Sequence, residues 1–322
     1  MDASDLSYRR LLKDELAAVE SLLLEPLATL PESVQATMRA LVAQRGKRLR
    51  PALGLLSAHL CGAEITPILP VAAALEMLHT ATLIHDDLLD DGRLRRGVAT
   101  LNAHWSPETV VLTGDIAFAW AAELASRGER LSLMRRFSET ARVICSGELE
   151  QMFAGRGAIP TEAMYYRRVY AKTASLFALA MEIGPRLTNA PARRVEDLHR
   201  FGTLLGQAFQ ITDDVLDFMG DEATLGKPLG SDLRQGLITL PVTRYIETHD
   251  DPRVDAVLAH TADEATIRAL VDDLRRSDAA DWAMARAEAH IAEAERLLAG
   301  YPDSPHRQAM HELAHFAVQR RY

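Results

Sequence analysis

Apolar residues recur three and four positions apart through nearly all of this 322-residue chain, and the period-two alternation of β-strands is nearly absent. This spacing is typical of amphipathic helices and predicts an all-α fold. The helices are expected over residues 6–24, 31–44, 67–89, 107–127, 131–153, 161–183 and 191–219, with several more after residue 231. Proline stands at the start of many of these segments, as it does at helix N-termini. No low-complexity linker divides the chain, which predicts a single domain over residues 1–322.

The charge and the cysteine content exclude several classes of function. With 45 acidic and 36 basic residues the net charge is −9, which gives no general attraction to phosphate backbones and argues against a nucleic-acid partner. The N-terminus lacks the order of a secretory signal, and the apolar region over residues 51–89 is interrupted by charged residues and prolines. Cys61 and Cys145 have no metal-binding or redox spacing and are interpreted as core residues. We therefore expect a cytoplasmic protein without stable membrane insertion.

Two clusters of aspartates end otherwise apolar helices, at residues 86–90 and 213–217, and both have the pattern DDxxD. Side chains four positions apart project from the same face of a helix, so the first and last aspartates of each pattern form a pair of carboxylates. Their repulsion would be offset by a divalent cation, and Mg²⁺ favours one or two carboxylates together with waters and phosphate oxygens. A solvated helix end explains one such cluster equally well, but two clusters in similar apolar contexts favour metal binding.

The helix before the first cluster continues the same face. At about 100° per residue, Leu75, Leu78 and Thr82 all lie within about 80° of Asp86 around the helix axis. A polar site above an apolar wall suits an amphiphile with a phosphate head and a hydrocarbon tail. Ordinary core packing also produces such a wall, and from periodicity alone it is the commoner case.

Several cations lie beside glycine or close to the aspartates, in the segments 45–51, 93–97, 172–173 and 226–228. Arginine offers phosphate a planar fork, lysine offers a point charge, and glycine lets the backbone approach a ligand closely. Each cation taken singly is more often a surface charge. Together with a metal site they imply two anionic groups, and diphosphates fit both. Departure of a diphosphate from an allylic carbon would create a carbocation, which an apolar trough protects from water.

The order of these motifs resembles that of the trans-isoprenyl diphosphate synthases, or polyprenyl synthetases, over nearly the whole chain. Four blocks occur in the family's order and spacing: RGKRLRP, EMLHTATLIHDDLLDDGRLRRG, KTASLF and GQAFQITDDVLDFMGDEATLGKPLGSDLRQGLITLP. The resemblance implies a single-domain bundle of about ten or more helices around a deep central cavity, a homodimer, and about three Mg²⁺ ions at the cavity mouth. It implies that isopentenyl diphosphate is condensed with an allylic prenyl diphosphate through ionisation, condensation and elimination, with the proton lost to the departed diphosphate.

The resemblance also implies a role for each matching residue. The direct metal ligands would be Asp86, Asp90 and Asp213, and their supports through water or outer contacts would be Asp87, Asp214 and Asp217. The allylic diphosphate would be held by Arg95, Lys172 and Lys227, and isopentenyl diphosphate by Lys47, Arg50, His79 and Arg96. Thr173 and Gln210 would point oxygen atoms at the allylic carbon. No side-chain base is required, and His85 is interpreted as a packing residue.

In this family a bulky residue on the cavity wall limits the length of the product. Ala81 and Thr82 stand where farnesyl-producing relatives often carry aromatic residues, so we expect an open trough and a product of about six to eight isoprene units. Phe118 or Trp120 would form a deeper floor, and Ala81→Phe would shorten the product. Leu237 stands where short-chain relatives carry a lysine, and Gln151 where some relatives carry an acidic residue. The alternatives are a farnesyl or geranylgeranyl diphosphate synthase, a class I terpene cyclase and a non-catalytic synthase subunit.

Overall fold

The computed structural model describes residues 6–43, 46–95, 98–153, 159–221 and 228–319, and most of these residues are helical. The helices in chain order are α1 (Ser7–Leu11), α2 (Lys13–Leu24), α3 (Glu32–Ala43), α4 (Leu49–Leu60), α5 (Ile68–Leu89), α6 (Pro107–Ser126), α7 (Leu131–Phe153), α8 (Glu162–Val169), α9 (Ser175–Leu187), α10 (Ala192–Met219), α11 (Ser231–Arg234), α12 (Leu240–Thr248), α13 (Pro252–Leu258), α14 (Glu264–Arg276), α15 (Ala279–Leu298) and α16 (Pro305–Gln319). Short 3₁₀ turns cover Glu25–Thr29 and Leu101–Ala103. The two-residue strands β1 (Leu94–Arg95) and β2 (Val98–Ala99) form a small antiparallel ladder. The predicted all-α fold is confirmed.

Most of the predicted helix boundaries lie within a few residues of the observed ones. Pro107 and Pro305 are the first residues of their helices, and Pro67 and Pro191 immediately precede theirs. The sequence analysis missed α4 because residues 51–58 are buried on every side and show no polar face from which a period can be seen. It also treated residues 161–183 as one regular helix, whereas a π-helical turn, Tyr170–Ala174, joins α8 to α9.

The interior of the molecule is formed by α4, α5, α9 and α10. Residues 175–185 of α9 are all buried, and α9 packs against both α4 and α10. Outside this centre, α6 packs along α5, and α15 packs along α10. The two helices that carry the aspartate clusters therefore belong to the core, and their C-terminal ends lie at its edge.

Two expectations from the sequence need correction. Cys145 is exposed and Cys61 is only half-buried, so the interpretation of both as core residues is wrong for Cys145. Against expectation, α5 and α6 are each long and apolar enough to cross a membrane by length and composition alone. In α5, however, 61% of the apolar window is buried inside the molecule. The apolar character of α5 is therefore explained by packing within the fold.

Candidate active site

Both aspartate clusters occupy the C-terminal ends of long helices. The first ends α5, where the N–H of Asp90 bonds to the carbonyl of Asp86 at 2.9 Å, and the second lies in the last two turns of α10. The last turn of each helix contains no basic residue. Because a helix C-terminus carries a partial negative charge, the helix dipoles add to the repulsion among the carboxylates. A bound cation would relieve this repulsion at both ends.

The aspartates of each cluster differ in burial. The side chains of Asp87, Asp214 and Asp217 are buried, whereas Asp90 is exposed and Asp86 and Asp213 are partly exposed. One buried carboxylate also holds the chain after α10: Asp217 Oδ2 accepts the backbone N–H of Asp232 at 3.0 Å. The structure thus leaves the three residues expected as direct metal ligands accessible, and it encloses the three expected as supports.

The π-turn between α8 and α9 reaches both clusters with two consecutive residues. Lys172 Nζ lies 3.8 Å from Asp86 Oδ2 of the first cluster. The Thr173 hydroxyl donates to Gln210 Oε1 at 2.7 Å, and Gln210 Nε2 donates to Asp214 Oδ1 of the second cluster at 2.8 Å. The turn is closed by the bond from the N–H of Ser175 to the carbonyl of Tyr170, which is one residue longer than an α-helical turn. Such turns are frequent at functional sites.

Two glycines allow the neighbouring helices to approach this turn. A Cβ on Gly147 of α7 would lie 2.4 Å from Ala171 Cβ, and a Cβ on Gly206 of α10 would lie 2.5 Å from Ala174 Cα. Real Cβ atoms essentially never come so close to another atom. The contact of α7 and α10 with the π-turn therefore requires glycine at these two positions.

Burial and neighbouring charges raise the pKa of two groups of the site, Lys172 and Asp214. Burial disfavours the charged form of Lys172, but the carboxylates of Asp86 and Glu148 outweigh this effect and raise the pKa of Lys172. Burial raises the pKa of Asp214 to about 7, although hydrogen bonds from Tyr165 and Gln210 partly oppose it. A lysine held cationic suits the binding of an anion, and a buried carboxylate with a raised pKa is stabilised in its charged form by a nearby cation.

Sequence reasoning missed two polar residues of the site. Glu148 of α7 places its Oε1 2.9 Å from Lys172 Nζ, and Tyr165 of α8 donates its hydroxyl to Asp214 Oδ2 at 2.6 Å. Both lie on helices outside the four motif blocks. Tyr165 precedes Lys172 by seven residues, about two helical turns, which is a weak signal that the two share a face.

The other basic residues expected to bind the two diphosphates are only partly described. Lys47 Nζ lies 4.7 Å from the centre of the Phe316 ring, and the Arg50 guanidinium lies 4.9 Å from the centre of the Phe177 ring, both within cation–π range. Phe177 follows Thr173 by four residues, so Arg50 lies near the first turn of α9. His79 is half-buried on α5. Arg95 lies in β1 with its side chain outside the described part, and Arg96 and Lys227 lie outside the described residues.

The register of α5 against α6 places the residues expected to limit product length. A Cβ on Gly114 of α6 would lie 2.1 Å from His85 Nε2, and a Cβ on Gly128 just beyond α6 would lie 2.6 Å from Val71 Cγ2. The two helices therefore run antiparallel with these pairs in contact. This register sets Phe118 level with Ala81.

The wall that α5 forms at the level of Ala81 and farther from Asp86 is packed rather than open. Leu75, Leu78 and Ala81 have no exposed surface, whereas Thr82 is half-buried. The half-buried Phe118 stacks on His85 with the ring centres 5.8 Å apart, and its role as a deeper floor stays a prediction. Trp120 is buried. Thr82 is therefore the residue of this wall that a growing hydrocarbon chain would meet first.

The donor set fits magnesium, although the aspartates do not form a closed cage. Among the residues that the structure describes, no three His, Cys, Asp or Glu side chains converge closely enough to hold a metal ion by themselves. Magnesium keeps several waters and binds through one or two carboxylates plus phosphate oxygens, so an open arrangement suits it. The negative charge gathered at two helix ends supplies the attraction.

Comparison with known proteins places the chain in a family. Residues 31–274 match the polyprenyl synthetase family. Heptaprenyl diphosphate synthase component 2 of Geobacillus stearothermophilus is 36% identical over 314 residues, covering 97% of both chains. Octaprenyl diphosphate synthase of Escherichia coli is 34% identical over 310 residues, covering 95% of this chain and 96% of the relative.

A solved structure extends this match to the fold. The crystal structure of a polyprenyl synthase from Caulobacter crescentus, complexed with calcium and isoprenyl diphosphate, superposes with a TM-score of 0.91 at 33% identity, covering 100% of this chain and 98% of that one. Enzymes of the matched family depend on magnesium and use allylic prenyl diphosphates and isopentenyl diphosphate as substrates. From the fold, the arrangement of its aspartates and lysine, and these matches, the protein belongs to the polyprenyl synthetase family of prenyltransferases.

Proposed function

We propose that the protein condenses an allylic prenyl diphosphate with isopentenyl diphosphate in successive head-to-tail 1′-4 additions and releases an all-trans polyprenyl diphosphate of about six to eight isoprene units. One observation carries the proposal: of two consecutive residues in the π-turn, Lys172 lies beside Asp86 of the first cluster, and Thr173 is linked through Gln210 to Asp214 of the second. Lys172 can hold the diphosphate, and Thr173 can face the carbon that loses it. The two functions are thereby held one residue apart.

The carboxylates of Asp86, Asp90 and Asp213 would hold magnesium, with Asp87, Asp214 and Asp217 supporting them from the interior. Magnesium, when bound, draws negative charge from the departing diphosphate. Lys172 binds the same diphosphate and is already cationic beside Asp86. Its positive charge stabilises the single negative charge that develops on the diphosphate when the carbon–oxygen bond of the allylic substrate breaks and the bonding electrons leave with the oxygen.

The positive charge left on the allylic carbon would be stabilised by oxygen atoms. Thr173 is buried and donates its own hydrogen to Gln210, so the remaining lone pairs of both oxygens are available to a cation. The C4 carbon of isopentenyl diphosphate then bonds to the allylic carbon, and the departed diphosphate takes the proton lost in forming the new double bond. Lys47, Arg50, His79 and Arg96 would hold isopentenyl diphosphate, and Arg95 and Lys227 would assist Lys172.

The proposed product length rests on the relatives and on the small residues before the first cluster. The two curated relatives described above are named for heptaprenyl and octaprenyl products. Ala81 and Thr82 present no bulk at the level of Phe118, where an aromatic side chain would meet a growing chain. A product that stops at farnesyl or geranylgeranyl diphosphate is the alternative.

A homodimer is supported by apolar side chains left exposed on one hairpin. The connection between α6 and α7 is short, so the start of α6 and the end of α7 lie at the same end of the pair. The exposed apolar residues there are Val111, Leu112, Leu149, Met152 and Phe153. A soluble monomer rarely exposes such a patch, and a second copy of this chain is the occupant we propose. Light scattering of the purified protein tests this proposal and should give the mass of a dimer. A monomer would contradict the homodimer and would favour a different partner protein, since one relative is named as a component of a synthase. We place the enzyme in the cytoplasm without stable membrane insertion.

The proposed activity is tested by incubating the purified protein with Mg²⁺, isopentenyl diphosphate and, separately, dimethylallyl, geranyl or farnesyl diphosphate. Mass spectrometry of the products is expected to show a ladder that ends at about six to eight units and disappears when the metal is chelated. A ladder ending at farnesyl or geranylgeranyl diphosphate would retain the chemistry and overturn the product length. Failure to elongate any primer would overturn the proposal in favour of a terpene cyclase or a partner-dependent subunit.

A further inference from the structure

Four side chains from three elements form a continuous hydrogen-bonded chain beside the second cluster. The Tyr165 hydroxyl donates to Asp214 Oδ2 at 2.6 Å, and Gln210 Nε2 donates to Asp214 Oδ1 at 2.8 Å. The Thr173 hydroxyl donates to Gln210 Oε1 at 2.7 Å. Both oxygens of the Asp214 carboxylate thus have a side-chain donor, and every hydrogen in the chain points towards Asp214.

This order fixes the direction of the Gln210 amide. An ionised carboxylate only accepts hydrogen bonds, so the nitrogen of the amide must face Asp214 and its oxygen must face Thr173. The opposite orientation would place an amide oxygen against a carboxylate oxygen inside the protein, where Asp214 is 4% exposed and unpaired acceptors are costly. Because an amide oxygen only accepts, the Thr173 hydroxyl must be the donor in its bond with Gln210. The lone pairs of the Thr173 oxygen are then turned away from this bond.

We propose that Tyr165 is a positioning residue for catalysis, which fixes the oxygens of Gln210 and Thr173 through the Asp214 carboxylate. The inference rests on the proposed function, in which these two oxygens stabilise the allylic cation. Stabilisation of a developing charge depends on dipoles that are oriented before the reaction, so a mobile amide would lose much of its effect. Tyr165 touches no substrate in this arrangement and acts only through the carboxylate.

Tyr165 is itself held rigidly enough for this role. It is 1% exposed, and the guanidinium of Arg168 lies 5.7 Å from the centre of its ring. Arg168 is anchored in turn by donation to the carbonyl of Ile238 at 2.8 Å. The hydroxyl of Tyr165 therefore reaches Asp214 from a fixed ring. Without this hydroxyl, Asp214 Oδ2 loses its side-chain donor and the carboxylate is free to rotate away from Gln210.

The test is Tyr165→Phe, which keeps the ring and removes only the hydroxyl. We expect kcat for condensation to fall about tenfold or more, because a hydrogen bond to a charged group is lost, while the KM values for both diphosphates change less than about twofold. The matched control is Tyr166→Phe, since the neighbouring Tyr166 hydroxyl contacts His290 at 3.2 Å and is not part of the hydrogen-bonded chain that ends at Asp214. This control should leave kcat unchanged.

A second measurement separates positioning from a general structural effect. In a Gln210→Ala background the further change Tyr165→Phe should alter kcat less than about twofold, because the amide that Tyr165 positions through Asp214 is no longer present. Independent, additive losses in the two variants would overturn the proposal, as would an unchanged kcat in Tyr165→Phe alone. Condensation by the wild-type protein is measured in the same series. Its absence would be a failure of the proposed function itself and would overturn the positioning role with it.

Discussion

Glu148 Oε1 lies 2.9 Å from Lys172 Nζ, closer than the 3.8 Å that separates this nitrogen from Asp86 Oδ2. The cation that we assign to the allylic diphosphate is therefore already paired with a carboxylate of α7. A diphosphate that binds Lys172 must approach this second negative charge, which weakens its binding. Glu148 thus holds the lysine in place at some cost in affinity.

Glu148→Gln should lower the KM for the allylic diphosphate by about threefold to tenfold, since removal of one nearby negative charge is worth about 1 kcal/mol at a partly exposed site. Glutamine still accepts a hydrogen bond from Lys172, so kcat should change little. Steady-state kinetics with Mg²⁺ in excess gives both constants. The matched control is Glu150→Gln on the exposed side of the same helix, and an equal effect in both variants would contradict the local role of Glu148.

Gly206→Ala should disrupt the site from the side of α10. The added Cβ would lie 2.5 Å from Ala174 Cα, so a backbone has to move, and we expect the free energy of unfolding to fall by about 1–3 kcal/mol. The Thr173–Gln210 bond bridges the same two elements, so turnover should fall as well. Chemical denaturation and turnover are the measurements. Gly300→Ala is the control, because a Cβ there meets nothing within 4 Å, and a loss of similar size in this variant would refute the argument.

Acid should weaken the ion cluster around the buried carboxylate of Glu182 on α9. Arg136 Nε lies 2.9 Å from Glu182 Oε1, and His199 Nδ1 lies 2.6 Å from the same oxygen. Burial alone would raise the pKa of Glu182, but hydrogen bonds from His199 and Arg136 outweigh this effect and lower the pKa from its usual value. A carboxyl group with a lowered folded-state pKa stabilises the fold above the unfolded pKa, and this stabilisation disappears as the pH falls through the folded pKa.

Glu182→Gln should therefore lower the free energy of unfolding at pH 7 by about 1–3 kcal/mol, because it removes the charge of a buried carboxylate that accepts hydrogen bonds from partly exposed side chains. The difference from wild type should shrink when the pH falls below about 4.5. Denaturation curves across this range provide the measurement. Glu139→Gln removes an exposed partner of the same Arg136 at 3.5 Å and should cost less than about 1 kcal/mol. A constant difference between Glu182→Gln and wild type at all pH values would contradict the assignment.

Thr82→Phe should shorten the product. Thr82 is half-buried one turn before Asp86, so an aromatic ring there can obstruct a growing chain, whereas Phe at the fully buried Ala81 would overpack the core. Mass spectrometry of the product ladder reports the change. Thr80→Phe, two positions away and about 160° around the helix, is the control. An unchanged ladder in Thr82→Phe would refute the role of this wall.

The sequence predicted those parts of the molecule that are encoded locally. The boundaries of α5 and α10 follow from apolar periodicity and proline, and the two carboxylate clusters follow from the pattern DDxxD. Tyr165 and Asp214 lie 49 residues apart, and no local pattern links them. The π-turn was missed because its residues suit a regular helix, and only the packing of α7 and α10 against it reveals the extra residue.

That extra residue has a consequence for α9 as a whole. Every residue over 175–185 is buried, so this stretch of α9 has no solvent-exposed side that could decide which way it faces when it folds into the core. One residue inserted in a helix turns everything after it by about 100° about the axis. The angular phase of α9, and with it the set of side chains that meet α4 and α10, is therefore determined by the same turn that carries Lys172 and Thr173.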